Sequence, residues 1–219
     1  RYFDRSNTNY YFTAHPGGFG VPDPNPVERR EGVDKEFIPK ISLNYMFGDG
    51  RDDKLLYGLY TRGKRPGGIN RTRGEPFFPA NYESDLMDNY EVGFKSSFGG
   101  GAGRFNSTVY HMAWSDYQLE TVDPSSVQCE VNGVPDPSIS EPGVCGQPWQ
   151  QIVANAGKAH ISGVNVELDY APNENWVLGM NAEFMEAETD TSQDLNGDGN
   201  DNLVAGLRLP IVPEFKASA

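Results

Sequence analysis

Apolar and polar side chains alternate with a period of two along several stretches of this chain. The first stretch is 40–47, where one face carries Ile41, Leu43, Tyr45 and Phe47. The second is 55–62, which follows the turn-forming residues of 48–53. Successive side chains of an extended strand point to opposite faces, so this period is typical of a strand. We predict two strands that meet at a short turn.

The same unit recurs twice. Residues 90–98 lead through the glycine-rich 99–103 into 104–120, and 164–170 lead through 171–175 into 176–184. In 104–120 two alternating sets of apolar side chains lie on opposite faces of the strand. One set is Phe105 and Val109, and the other is Tyr110, Met112 and Trp114. The sequence therefore leaves open which face of this strand is the apolar one. The end segments, 1–13 and 207–219, also read as strands, so we predict about eight in all.

The connections between these strands are unequal. Turns of about five residues alternate with long polar segments at 66–86, 121–149 and 187–204. Aromatic residues bracket each short turn, in the pairs Phe47 and Tyr57, Phe98 and Phe105, and Tyr170 and Trp176. Membrane barrels have short turns on one side, long loops on the other and aromatic girdles at the interfaces, whereas loops in a soluble sandwich are usually short. This pattern favours a membrane barrel.

Composition supports an all-β chain and excludes some functions. Of 219 residues, 37% are hydrophobic and 12% aromatic, with 25 Gly and 16 Pro, which is rich in turns and poor in helix formers. No apolar run is long enough for a membrane helix. The net charge of -13 argues against a nucleic-acid surface, which needs excess Lys and Arg. The chain begins at Arg1 without a signal-like segment, so we expect a piece of a longer protein.

The two cysteines, Cys129 and Cys145, lie in a loop-like segment rich in Pro, Asp and Ser. We predict that they form a disulfide, which would constrain the unfolded chain by roughly 3 kcal/mol and imply an oxidising compartment. The alternative is two unpaired thiols. The spacing matches no Cys/His metal motif.

Asp194, Asn196 and Asp198 place oxygen ligands at alternate positions before a glycine, as in the first half of a calcium loop. The bidentate Glu expected at the twelfth position is Ala205. We therefore predict a solvated acidic loop and keep weak calcium binding as a hypothesis, with no other cofactor.

No catalytic arrangement is readable, and we expect that the protein is not an enzyme. His15, His111 and His160 are isolated in the sequence, and the glycine-rich 99–103 lacks the Lys and Ser/Thr of a phosphate loop. The neighbouring acids Glu186 and Glu188 read as strand-end residues.

Five stretches resemble, in order, the recurrent motifs of TonB-dependent outer-membrane receptor barrels. They are YGLYTRGKRPGGIN at 57–70, YE at 82–83 with NYEVGFK at 89–95, YHMAWSDYQ at 110–118, NAGKA at 155–159 with GVNVE at 163–167, and GLRLP at 206–210 with PE at 213–214. Glu83 lacks the preceding Pro of the family pattern, and Phe215 stands where His or a small residue is usual. The likeness covers nearly the whole chain.

The resemblance implies an antiparallel transmembrane β-barrel segment with short periplasmic turns and long extracellular loops, part of a barrel of about 22 strands. It further implies location in the bacterial outer membrane and TonB-coupled uptake of a scarce solute, first of all a ferric siderophore. Its partners would be the small-molecule substrate, outer-membrane lipid and lipopolysaccharide, and TonB and a plug domain supplied by the rest of the protein, but no nucleic acid. The alternatives are a passive porin or small eight-strand barrel, and a secreted β-sandwich binding module.

One basic cluster stands out in this acidic chain: Arg62, Lys64, Arg65, Arg71 and Arg73. At the outer rim of a barrel, these residues could attract an anionic substrate or the inner-core phosphates of lipopolysaccharide. The alternative is that several of them pair with Glu75, Glu83 and Asp85 across the loops.

Overall fold

A computed structural model of the chain describes residues 2–11, 28–50, 52–70, 81–122, 130–131, 134–135, 151–194, 201 and 203–219. These residues form strands, turns and irregular segments, with no helix among them. No helix in this part of the chain is therefore long and apolar enough to cross a membrane.

The described residues contain fifteen strands. They are β1 Tyr2–Tyr11, β2 Glu28–Phe37, β3 Lys40–Phe47, β4 Lys54–Arg65, β5 Gly68–Ile69, β6 Asn81–Tyr82, β7 Asp85–Phe98, β8 Gly103–Ser115, β9 Gln118–Val122, β10 Glu130–Val131, β11 Val134–Pro135, β12 Gln151–Asn155, β13 Lys158–Asn173, β14 Trp176–Thr189 and β15 Phe215–Ser218.

Seven strands form the main sheet in the order β15-β14-β13-β8-β7-β4-β3, and every neighbouring pair is antiparallel. This confirms the predicted all-β, antiparallel fold. Within the described residues the sheet is open, with β3 and β15 at its edges. The short turns join β3 to β4, β7 to β8 and β13 to β14 at one end of the sheet, the turn end; the long connections lie at the other, the loop end.

The strand pairing divides the sheet into an apolar and a polar face. One cross-strand row of the apolar face contains Leu43, Gly58, Val92, Val109, Val164, Phe184 and Phe215. Because Val109 is opposite Val92 and Val164, the register left open for β8 is settled. Phe105 and Val109 belong to the apolar face, and Tyr110, Met112 and Trp114 to the polar face.

The apolar face is exposed over much of its area. Leu43 is 78% exposed, Val92 60% and Val109 56%, although side chains of this type are normally buried in a soluble protein. Among the described residues, a buried apolar cluster lies instead at the loop end, where Tyr117 and Leu203 pack against Ala156 and Ala159. The alternating strands do not enclose a dry core of their own.

The apolar band runs obliquely across the hydrogen-bonded rows of the sheet. Towards the loop end one row reads Tyr60, Tyr90, His111, Ser162 and Glu186, apolar on β4 and acidic on β14. Towards the turn end another row reads Lys54, Ser96, Phe105, Leu168 and Met180, charged on β4 and apolar on β14. A level apolar belt around tilted strands produces this shift, and strands of membrane barrels are tilted by about 35–45°.

Candidate functional site

The main sheet separates the basic residues predicted from the sequence. Arg62 and Lys64 lie on the apolar-face side of β4, beyond the apolar band, whereas Arg65 lies on the polar-face side, paired across the strands with Asp85. Alternation along β4 produces this separation. Arg71 and Arg73 lie outside the described residues.

Arg62 forms a bidentate ion pair with Asp88. Its Nε and Nη2 donate to Oδ1 and Oδ2 of Asp88, each at 2.8 Å. The Tyr60 hydroxyl also donates to Asp88 Oδ1 at 2.7 Å. Both charged side chains are partly buried, so the pair is better shielded from water than an ordinary surface salt bridge.

Arg65 is held by the almost completely buried carboxylate of Asp85. Its Nε and Nη2 donate to Asp85 Oδ2 at 3.0 and 2.5 Å, and the backbone N–H of Gln118 donates to the same oxygen at 3.1 Å. Arg65 Nη2 also donates to the Gln118 carbonyl at 2.8 Å. The end of β4 and the start of β7 are thus tied to the start of β9. Arg65 itself remains half-exposed.

Amide side chains extend this junction to the neighbouring connections. Asn70 and the backbone of Val153 exchange two hydrogen bonds of 2.8 Å. Asn155 exchanges bonds of 2.8 and 3.0 Å with the backbone of Glu83, and Gln118 Nε2 donates to the Glu83 carbonyl at 3.0 Å. We call this set the mouth clamp: Arg65, Asn70, Asp85, Gln118 and Asn155. Four of its members, all but Asp85, lie within the motifs that carried the resemblance.

The clamp requires glycine at one crowded position. A Cβ on Gly67 would lie 2.5 Å from the carbonyl oxygen of Tyr82, a backbone atom with little freedom to move. We expect Gly67→Ala to destabilise the loop end by about 1–3 kcal/mol, as overpacking usually does. The matched control is Gly58→Ala on β4, where a Cβ would meet nothing within 4 Å. Chemical unfolding of the full-length protein measures both; equal stabilities would contradict the close approach.

Aromatic side chains border the clamp on the polar face. The Arg65 guanidinium lies 5.7 Å from the centre of the Trp114 ring, and Trp114 packs against Tyr117 at 5.5 Å between centroids. Tyr117 is buried between β8 and β9, and burial raises the pKa of its phenol because a phenolate would lose its hydration. The positive charge of Arg65 therefore lies beside a neutral aromatic surface.

The remainder of the polar face is hydrogen-bonded between strands. Tyr57 donates to Glu91 at 2.5 Å and contacts the Thr108 hydroxyl at 3.0 Å, and Tyr110 donates to Glu183 at 2.8 Å. Three further polar contacts are Asn106 with Glu167, Arg104 with Asp169 and Lys216 with Glu183. The register places Glu91 and Lys95 on the polar face as well. Hydrogen-bonded and charged side chains of this kind are those expected on a face of the sheet that contacts water.

Other predicted sites fall largely outside the described residues. Cys129 and Cys145 are outside, as are Asn196 and Asp198 of the acidic loop, so the disulfide and weak calcium binding stay predictions. Asp194 is described. Across the ranges that the structure describes, no three His, Cys, Asp or Glu side chains converge as metal ligands.

Comparison with known proteins agrees with this geometry. A family model described as "TonB dependent receptor-like, beta-barrel" matches residues 1–219. The crystal structure of the ferric yersiniabactin uptake receptor FyuA from Yersinia pestis matches with a TM-score of 0.60 and 20% identity, over 88% of this chain and 24% of that chain. A comparison with curated proteins finds no match. The chain thus spans about a quarter of the FyuA chain and shares the fold of that part.

Proposed function

Because this chain belongs to the TonB-dependent receptor-like β-barrel family, we propose that it forms part of the wall of a receptor in the bacterial outer membrane. The exposed, oblique apolar band carries the proposal. In the proposed receptor wall, the apolar face contacts lipid and the polar face lines an aqueous lumen. The proposed role is transport, without catalysis.

In this arrangement the loop end is extracellular and the turn end periplasmic, as the lengths of the connections suggest. The mouth clamp then lies at the extracellular opening, where it holds the bases of several long connections in fixed positions. Half-exposed Arg65 would present a guanidinium beside Trp114 to a solute entering the lumen. We propose a substrate-attracting role for Arg65 together with Arg71 and Arg73.

We propose that the solute is a ferric siderophore and that uptake is active. The similar structure, FyuA, is described as a ferric yersiniabactin uptake receptor, which supports a ferric siderophore as the substrate class proposed here. In the whole protein, a plug domain and TonB would couple uptake to the inner-membrane proton gradient. A passive porin or a small eight-strand barrel is the second candidate.

Iron uptake by cells that produce the full-length receptor as their sole siderophore route tests this proposal. We expect accumulation of radioactive iron from ferric siderophores that stops when a proton uncoupler is added. Accumulation insensitive to the uncoupler would favour the passive porin. Absence of uptake across a panel of ferric siderophores, with receptor present in the outer membrane, would reject this substrate class.

The contribution of Arg65 can be separated from receptor assembly. We expect Arg65→Gln to lower uptake of an anionic ferric siderophore about tenfold, because it removes a charge that attracts the ligand. Arg65→Lys keeps the positive charge but loses the paired hydrogen bonds that Nε and Nη2 donate to Asp85. If charge matters, the lysine variant retains more uptake than the glutamine variant. Equal losses in both would show that Arg65 acts only through the clamp.

A further inference from the structure

A recess of about 320 Å³ opens at the turn end of the sheet, where β3, β4, β7 and β8 lie side by side. Met46 and Leu55 contribute apolar side chains to its lining, and Lys95 and Arg104 contribute positive charge. Met46, Leu55 and Lys95 belong to one cross-strand row of the polar face, and Arg104 follows two positions before Asn106 of the same row. Both cations therefore lie on the face that lines the lumen in the proposed barrel.

The positive charges of the recess are largely uncompensated. Lys95 is exposed, and it makes a cation–π contact with Tyr57 but no ion pair with a carboxylate of the described residues. The Arg104 side chain is 72% exposed and reaches Asp169 at 3.4 Å. Of the described residues that line the recess, Asp53 alone has a carboxylate, and its Oδ1 accepts a backbone N–H of its own turn at 3.1 Å. An anion could therefore reach both cations without displacing a strong partner.

The aromatic surface beside Lys95 is held in a fixed position. The Tyr57 hydroxyl donates to Glu91 at 2.5 Å and lies 3.0 Å from the Thr108 hydroxyl. A Cβ on Gly93 would overlap the Tyr57 ring, so the glycine lets this ring lie directly against β7. Because the ring is positioned before a ligand arrives, binding beside it costs less conformational entropy.

The same combination of a cation and an aromatic ring occurs at both ends of the polar face. Arg65 lies 5.7 Å from the centre of the Trp114 ring at the loop end, and Lys95 lies 5.7 Å from that of Tyr57 at the turn end. Arg65 and Leu55, the cross-strand partner of Lys95, are ten positions apart on β4. At about 3.4 Å per residue, this separation is about 34 Å. The two cations therefore belong to separate sites.

We propose that Lys95 and Arg104 bind a carboxylate group of the imported solute at the periplasmic end of the lumen. Both side chains donate charge-assisted hydrogen bonds to carboxylates. A volume of about 320 Å³ is near the lower limit for ligand pockets, so the recess takes a charged portion of a solute. The inference rests on the proposed function, to which it adds a second binding site beyond the mouth clamp. A carboxylate from the rest of the receptor chain is the competing occupant.

Protection of Lys95 from an amine-acylating reagent tests the proposal, with citrate as the probe. In the purified full-length receptor we expect Lys95 to be labelled without citrate and to lose most of this labelling at saturating citrate, because a bound carboxylate shields the ammonium group. Mass spectrometry of the digested receptor measures the labelled fraction. Lys216 is the matched control, since it lies on the same face and is already paired with Glu183 at 3.2 Å.

Substitution of Arg104 tests the second cation. Arg104→Gln should raise the citrate concentration that half-protects Lys95 about tenfold, because one charged hydrogen-bond donor is lost. Arg104→Lys keeps the positive charge and should retain most of the protection. Both variants should fold, since the exposed pair of Arg104 with Asp169 contributes little to stability. Heat-modifiable gel mobility checks their folding.

Several outcomes of the labelling would overturn the proposal. Lys95 unlabelled in the absence of citrate would show that the rest of the receptor chain already covers the recess. Labelling that citrate does not change would remove the anion site, and equal protection of Lys216 would reveal a general ionic effect. Half-protection at the same citrate concentration in Arg104→Gln and wild type would exclude Arg104 from the site.

A transport measurement connects the recess with the solute. Lys95→Gln should lower the maximal rate of ferric siderophore uptake about fivefold and leave the concentration for half-maximal uptake unchanged, because capture takes place at the mouth clamp. An unchanged maximal rate would separate the recess from import. Absence of uptake in wild type would reject the siderophore proposal but not the citrate result, so the two failures are distinguishable.

Discussion

Replacing Asp85 by Ala is expected to lower the free energy of local opening of the mouth clamp by about 3 kcal/mol. This value is the upper end of the range for hydrogen bonds to a charged group. The substitution leaves two donors of Arg65 and the backbone N–H of Gln118 without their buried acceptor. Hydrogen exchange of the full-length receptor, followed over 115–122 and 151–157, measures the loss. A decrease of this size in the free energy of local opening corresponds to about a hundredfold faster exchange in those segments.

Asp169→Ala is the matched control for this prediction. Asp169 also pairs with an arginine, Arg104, but at 3.4 Å and with both side chains substantially exposed. An exposed pair of this kind contributes less than about 1 kcal/mol. Exchange in the two loop-end segments should therefore stay as in wild type. If Asp85→Ala behaves like Asp169→Ala, the clamp does not tie the loop bases together.

The strands of the main sheet could be predicted because each carries its own periodic pattern. Alternation alone located β3 in full and the larger part of β4, β7 and β14, since the period of two is a property of a single strand. It missed the first five residues of β7 and the last five of β14. The apolar face of β8 could not be assigned that way, because the set that contains Val109 and the set that contains Tyr110 are equally apolar. Only the neighbours Val92 and Val164 decide between them.

The candidate site was less predictable because its partners are distant in sequence. Alternation along β4 separates Arg62 from Arg65, a signal that was already present in the sequence. Their acidic partners depend on how β4 pairs with β7, and only Asp85 was among the candidates considered. Asn70 and Val153 lie 83 positions apart, and no local pattern relates them.

The motifs shared with the family gain a physical meaning from the mouth clamp. They come from separate connections, yet Asn70, Gln118 and Asn155 meet at the same junction. Side-chain amides suit this position because each can both donate and accept, so they add hydrogen bonds to the short pairings of β5 with β6 and of β9 with β12. The clamp therefore gives Asn70, Gln118 and Asn155 a role in loop placement, without assigning these three amides contact with the solute.

The two faces of β13 should differ in their tolerance of an added positive charge. Val166 lies in the apolar band, in a row with Ser107 and Ala182. We expect Val166→Arg to destabilise the full-length receptor in lipid bilayers by about 2–4 kcal/mol, the range for arginine at the membrane midplane on a lipid-facing position. Guanidinium titration of receptor folded in lipid vesicles, followed by tryptophan fluorescence, measures the change.

The adjacent residue supplies the control, because one step along a strand reverses the face. Asn165 lies on the polar face, opposite Thr108 on β8 and Glu183 on β14. An arginine at 165 would point into water near carboxylates, so Asn165→Arg should change stability by less than about 0.5 kcal/mol. A reversed order, with position 165 the more sensitive, would place the lipid on the polar face. Equal sensitivity would mean that neither face meets hydrocarbon, and the membrane assignment would fail with it.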